Sequence, residues 1–290
     1  TQSVRAGVSP EYMARLCNLA GTDMWVCVPH MADDQYVTNL ASALDVVLRP
    51  DLAIYIEYSN EVWNSIFDQH HYAALKGQSL ATTSWTSAWR FYSQRSVQVF
   101  QLFASGLSPN RRLIRVLAGQ SANPWIGQQI MDWQNAYQDA DAYAVAPYFG
   151  GSLGSASNAT ITASMDVRTL LLACELDSQH QHAQRTTQNA IEAQQRGLDL
   201  IAYEGGQHLV GVGAALNNQT LTDLFIATNR HPEMRGIYRR DLQRWKAAGG
   251  QMFMAYRLTG RPSKYGSFGL LEKQTQRTPK MLGILDFVTR

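Results

Sequence analysis

Short apolar runs alternate with longer stretches of helical periodicity along almost the whole chain. Ser9-Pro10-Glu11 opens the first helix, with Ser as N-cap and Pro at the first helical position. Met13, Leu16 and Leu19 form its apolar stripe, and Gly21 stands where a C-cap belongs. Met24–Val28 reads as a buried strand ending at Pro29-His30, and Asp33 to Leu48 reads as a helix with Tyr36, Leu40, Leu44, Val47 and Leu48 on one face. The strand Ala53–Tyr58 is followed by a long helical region through Ala104. Leu113–Leu117, a helix near Ile126–Tyr137 and the strand Ala142–Ala146 make the next cycle. After the Gly/Ser-rich stretch Gly150–Ser157, helical sequence covers Met165–Arg196 and leads to the strand Leu198–Tyr203. A helix around Thr222–Ala248, the strand Gln251–Tyr256 and a short helix near Lys280–Val288 close the series.

Six strands separated by helices predict an α/β fold with parallel strands and helical crossovers. Neither GxGxxG nor GxxxxGK[ST] follows any strand, so a phosphate-cradling doubly wound sheet is disfavoured. Polar and aromatic residues gather instead after the strand ends: His30, Asn60-Glu61, Gln120, Tyr148, Glu204 and Tyr256-Arg257. That pattern predicts a (β/α)8 TIM barrel, whose functional groups collect on the C-terminal face. Eight strands need two more than the sequence offers, and Thr1–Val8 is too short to supply them. The expectation is one barrel domain over residues 1–290 that lacks its first two βα units, with the gap filled by a second copy of the chain or a missing N-terminal segment.

Composition narrows the partners. The 290 residues are 45% hydrophobic, enough for a sizeable core, and carry a formal charge of only +2. The basic residues are scattered, Arg111-Arg112 and Arg239-Arg240 being the only pairs, so neither nucleic acid nor a membrane surface is an expected partner. No apolar run approaches the ~20 residues needed to span a bilayer. Thr1-Gln2-Ser3-Val4-Arg5 is no signal peptide, which fits a cytosolic chain or a trimmed mature one; the Gln, Asn, Ser and Thr content favours a secreted protein, extracellular or periplasmic. Cys17, Cys27 and Cys174 show no CxxC spacing, and the first two read as small core residues. His70-His71 and His180/His182 fall in polar helical sequence and read as solvated surface; neither a metal nor an organic cofactor is expected.

The chemistry centres on two carboxylates. Glu61 follows the run Ile54–Tyr58, and Glu204 follows Leu200–Tyr203, so each sits at the mouth of a strand, where a protein can tune and aim an acid. Two such groups on separate strands meet the requirement for acid/base or nucleophile chemistry on a glycosidic bond. Asn60, beside Glu61, offers an amide to a sugar hydroxyl, and Gly205-Gly206 would leave room for a bulky substrate beside Glu204. Glu57 shares strand parity with Glu61 and reads as a buried acid paired to Arg. Trp63 is a candidate sugar-stacking platform, whereas Trp85 and Trp89, at i and i+4, read as helix packing. Asp33 and Asp34 read as caps of the next helix.

Asn60-Glu61 on what would be the fourth barrel strand and Glu204 on the seventh resemble the signature of clan A glycoside hydrolases, the cellulase-like (β/α)8 enzymes. The resemblance spans about residues 23 to 257. It implies Glu61 as acid/base and Glu204 as nucleophile, His30 as a substrate-binding residue, and Tyr148 as the aromatic that hydrogen-bonds the nucleophile. Two features depart from the clan: no Arg on the second strand, and Tyr256-Arg257 where an eighth-strand Trp commonly stacks under the sugar. The expected activity is a retaining hydrolase of a β-linked polysaccharide, a β-glucan foremost. A carbohydrate-binding pseudo-enzyme is the alternative. A barrel aldolase is weaker, because none of the five Lys falls at a strand end.

Overall fold

The computed structural model describes residues 7 to 289, and the readings made on Thr1–Arg5, and on most of Thr1–Val8, lie outside it. It is an α/β protein whose main sheet has six strands, and its helices lie between them in sequence. The chain forms two compact units.

The first unit holds the chain up to Ala144 together with Glu192–Asp199. It begins with α1 (Pro10–Ala20), which stops at Gly21 in the left-handed region, φ 64°, where a side chain would be strained. Then come β1 (Met24–Val28), α2 (Asp34–Val47), β2 (Ile54–Tyr58), α3 (Asp68–Lys76), α4 (Ser84–Ser105), β3 (Leu113–Ala118), α5 (Pro124–Asp132) and β4 (Ala142–Val145). β1 pairs with β2, β2 with β3 and β3 with β4, all parallel, with Val26 opposite Ile56 and Ile56 opposite Arg115. Asp33 caps α2 by accepting from the Tyr36 N–H at 2.7 Å. The other end of α2 is closed by Arg111, whose buried guanidinium binds Asp45 at 2.8 Å and donates to the carbonyls of Asp45, Leu48 and Arg49. The Asp45 carbonyl is one that the helix itself leaves without a donor, and Leu48 and Arg49 lie just past its end.

The second unit holds Val145–Ile191 and Leu200–Arg290. It contains β5 (Tyr148–Phe149), α6 (Ala159–Ala163), α7 (Val167–Asp177), a π-helical turn leading into α8 (Ala183–Gln195), β6 (Asp199–Ala202) and β7 (Gly206–Gln207). α9 (Gln219–Arg230), α10 (Met234–Ala247), β8 (Gly250–Phe253) and α11 (Pro279–Val288) follow. β6 pairs parallel with β8, and the two-residue strands β5 and β7 form a small parallel ladder of their own. The main sheet runs β1-β2-β3-β4-β6-β8. Phe149, Leu170, Cys174, Leu209, Phe225 and Tyr238 form the centre of this unit's core. No helix among the described residues is long and apolar enough to cross a membrane.

The six strands fall where the apolar runs place them; the helices needed correction. The long helical region expected through Ala104 is two helices, α3 and α4, parted by Gly77, where an added Cβ would lie 2.1 Å from the Ser87 carbonyl. The expected helix Thr222–Ala248 is likewise two, because His231-Pro232-Glu233 breaks it and Pro cannot donate to the preceding turn. The helix expected through Tyr137 ends at Asp132, since Gln134 and Asn135 take positive φ. In α1 the stripe fails: Leu16 and Leu19 are exposed and Ala14 is the buried residue, while Asn18 ties the helix to the Val47 carbonyl.

Several side chains also differ from expectation. Cys27 is exposed and Cys17 half-buried; only Cys174 is a core residue. Cys27 shares a face of β1 with Trp25, whereas Met24, Val26 and Val28 fill the buried face. His70 is buried, with Nδ1 2.9 Å from the Val62 carbonyl, and His182 is buried beside Asp241 at 3.0 Å. Polar neighbours in sequence hid both, because each stands beside an exposed polar residue, His71 and Gln181.

Candidate functional site

In the first unit, parallel pairing places the residues after β1, β2 and β3 on one edge of the sheet: His30, Asn60-Glu61 and Gln120. The strand β2 ends at Tyr58, and its Ser59 N–H still donates to the Val28 carbonyl at 2.7 Å. The backbone then turns sharply, with Ser59 at φ 63° and Glu61 at φ 49°. A left-handed conformation at residues other than Gly costs of order 1 kcal/mol or more each and persists where the surroundings over-determine it. The pleat therefore stops before Glu61, so strand parity does not relate it to Glu57. Glu61 is half-buried, and the Asn64 amide donates to its Oε2 at 3.0 Å. The Gln69 amide holds the Asn60 carbonyl at 2.7 Å.

His30 is positioned through its backbone and ring together. Its carbonyl accepts from the Tyr58 hydroxyl at 2.7 Å, and its ring meets Tyr72 edge-on at 5.1 Å. Burial holds the Tyr58 phenol well above its ordinary pKa, so it stays a donor. Trp63 is half-buried, with its indole N–H enclosed. Trp89 is the packed member of a separate indole group: it touches Trp85 at 5.9 Å and Trp125 at 5.6 Å, and those two are about half exposed. Glu57, fully buried on β2, accepts from the Trp25 indole at 3.1 Å and faces the Cys27 thiol at 3.7 Å.

In the second unit, Tyr148, Glu204 and Tyr256 follow β4, β6 and β8. The Tyr148 hydroxyl donates to Glu204 Oε1 at 3.1 Å. The register makes that contact: β5 pairs Tyr148 with Gly206, two residues beyond Glu204. Burial is the largest force raising the Tyr148 pKa, and the neighbouring Glu204 charge adds to it, so the phenol remains protonated and donating. Tyr148 is braced edge-on by His208 at 5.6 Å and Phe268 at 5.9 Å, and Tyr256 packs on the same Phe268 at 5.7 Å. Burial lowers the His208 pKa, so that ring is a neutral packing surface. Tyr256 is partly exposed.

The two glycines after Glu204 make room for the protein itself rather than for a substrate. A Cβ on Gly205 would meet the Phe253 ring at 2.5 Å and the Pro147 carbonyl at 3.0 Å, and Gly206 has φ 138°. His208 and Phe268 were not foreseen. His208 follows the two-residue strand β7, too short to show as an apolar run, and Phe268 lies in the long β8–α11 connection.

Chemically, the second unit presents a carboxylate with one oxygen held by a neutral phenol, a geometry suited to aimed attack or charge stabilisation. The first presents a carboxyl on a strained turn held by an amide. Among the described residues no group of three or more His, Cys, Asp or Glu is arranged to hold a metal ion. No protein-family model matches this sequence, and no curated protein matches it.

Proposed function

We propose that this protein is a retaining glycoside hydrolase of β-linked polysaccharide, with β-glucan the foremost substrate. The observation that carries the reading is the Tyr148–Glu204 hydrogen bond, a half-buried phenol aiming a carboxylate beyond the end of a parallel strand. In this reading β1, β2, β3, β4, β6 and β8 are consecutive strands of a (β/α)8-type barrel. Glu204 attacks the anomeric carbon and displaces the leaving sugar, whose oxygen takes the Glu61 proton. A water that gives its proton back to Glu61 then releases the sugar from Glu204. His30, Asn60, Trp63 and Tyr256 contact the sugar. The mechanism requires the two carboxyl groups to stand ~5–5.5 Å apart, against ~6.5–9.5 Å for inversion.

An extracellular or periplasmic setting suits a polymeric substrate. β1 and β8 have one neighbour each in the main sheet among the described residues, and a second copy of the chain is the proposed cover for those edges. Light scattering should then give twice the 32.4 kDa chain mass, and a monomer would remove that part of the reading.

The test is kinetic and stereochemical. Glu61→Ala should lose about 10²–10⁴-fold on substrates with poor leaving groups and far less on activated aryl glycosides. Glu204→Ala should regain turnover with azide and give the inverted glycosyl azide; azide on Glu61→Ala should give the retained one. Swapped stereochemistry would exchange the two roles. Binding without turnover across β-glucans, xylans and mannans would replace this reading with that of a carbohydrate-binding pseudo-enzyme.

A further inference from the structure

A cavity of about 230 Å3 opens at the N-terminal end of α11, and Asn229, Arg230, Ser267, Glu272, Arg277 and Lys280 are among its walls. Lys280 is only 4% exposed. Its ammonium donates to the Ser267 carbonyl, its one acceptor among the described residues, which leaves two of its three protons for a guest. A charge buried on so little is costly, and burial pushes Lys280 down to about 8 against the pull of Glu272. Glu272 is committed elsewhere, since its two oxygens take the Arg230 guanidinium at 2.7 and 2.9 Å.

Asn229, also 4% exposed, is fixed in the cavity wall. Its amide nitrogen donates to the Phe225 carbonyl at 2.9 Å and to Gln207 Oε1 at 3.4 Å. Gln207 Oε1 is fixed as an acceptor by the Leu209 N–H at 2.8 Å, so the orientation of the Asn229 amide follows. Its side-chain oxygen is buried and has no donor among the described residues. Gln207 also donates to the Ser267 carbonyl at 3.1 Å, which holds the acceptor that Lys280 uses. Buried ammonium protons at the wall of a cavity call for a guest carrying an anionic oxygen. The volume matches roughly seven waters, more than a bare oxyanion fills.

We propose that this cavity binds a small organic carboxylate or phosphate, its anionic group on Lys280 with exposed Arg277 at the rim. None of these residues belongs to the Glu61 and Glu204 machinery, and the site stands whether or not the chain is a glycosidase. Calorimetry on the full chain should show saturable binding of glucuronate or of glucose 6-phosphate, the pair telling the two anionic groups apart. Neutral glucose and inorganic phosphate should each bind about tenfold more weakly or worse. Lys280→Met should abolish binding and Arg277→Gln should weaken it. Should Lys280→Met fail to fold, amide shift changes in the wild-type chain decide: they should centre on residues 267–280 and 229. No saturable binding of either anion, glucose or phosphate binding as tightly, shifts centred elsewhere, or undiminished binding by folded Lys280→Met would each overturn the proposal.

Discussion

Fifty-six positions separate Tyr148 from Glu204, yet the phenol donates to the carboxylate at 3.1 Å. A hydrogen bond to a charged group contributes about 1.5–3 kcal/mol. Tyr148→Phe should therefore lower kcat about ten- to a hundredfold with KM nearly unchanged, because the lost donor orients the carboxylate rather than binding the sugar. Wild-type kcat in Tyr148→Phe would mean that the contact serves packing alone. Both residues could be picked from the sequence because each follows an apolar run, but the bracing of Tyr148 by His208 and Phe268 could not. Gly205 shows the other limit of sequence reading: a glycine beside a catalytic candidate suggests space for substrate, and only coordinates show the Phe253 ring using that space.

At the scale of elements, Arg111 and His182 carry more than their sequence contexts suggest. Arg111 binds the half-enclosed Asp45 and three carbonyls at the end of α2, so removing it strands both a charge and a helix terminus. Arg111→Leu should cost about 3–5 kcal/mol, read as a lowered denaturation midpoint with an unchanged m-value. A loss below about 1 kcal/mol would show that water replaces those bonds. At His182 burial opposes a charge, but the Asp241 carboxylate outweighs it, and the histidine holds its proton above its ordinary value of 6.5. A folded pKa raised above the unfolded one gives stability that is complete below pH 6.5 and fades as pH rises through the folded value. The midpoint should therefore fall as pH rises from about 6.5 upward, and His182→Gln should flatten that dependence; an identical slope in the variant would remove His182 as its source. Strands were readable because each is a short run of apolar, β-prone residues, even where, as in β1, one face alone is buried. Helix breaks were less so, since Pro232 and the close approach at Gly77 act through backbone geometry rather than periodicity.

For the whole molecule, the α/β class and the order of six parallel strands follow from the alternation of patterns, and the strands pair as that alternation requires. The two compact units do not follow from it: their boundary passes through β4 and β6, where no shift of composition marks it. Glu61 belongs to the first unit and Glu204 to the second, and the proposed chemistry needs both on one glycosidic bond. A covalent glycosyl-enzyme is the species that only double displacement produces. The decisive measurement is therefore mass spectrometry of the chain after reaction with an activated deoxyfluoro-β-glucoside or cellobioside, which slows release of that intermediate. The account predicts one sugar per chain, on the peptide that carries Glu204, and none on Glu204→Gln. Hydrolysis without a trapped sugar, or a label on any other residue, would contradict it.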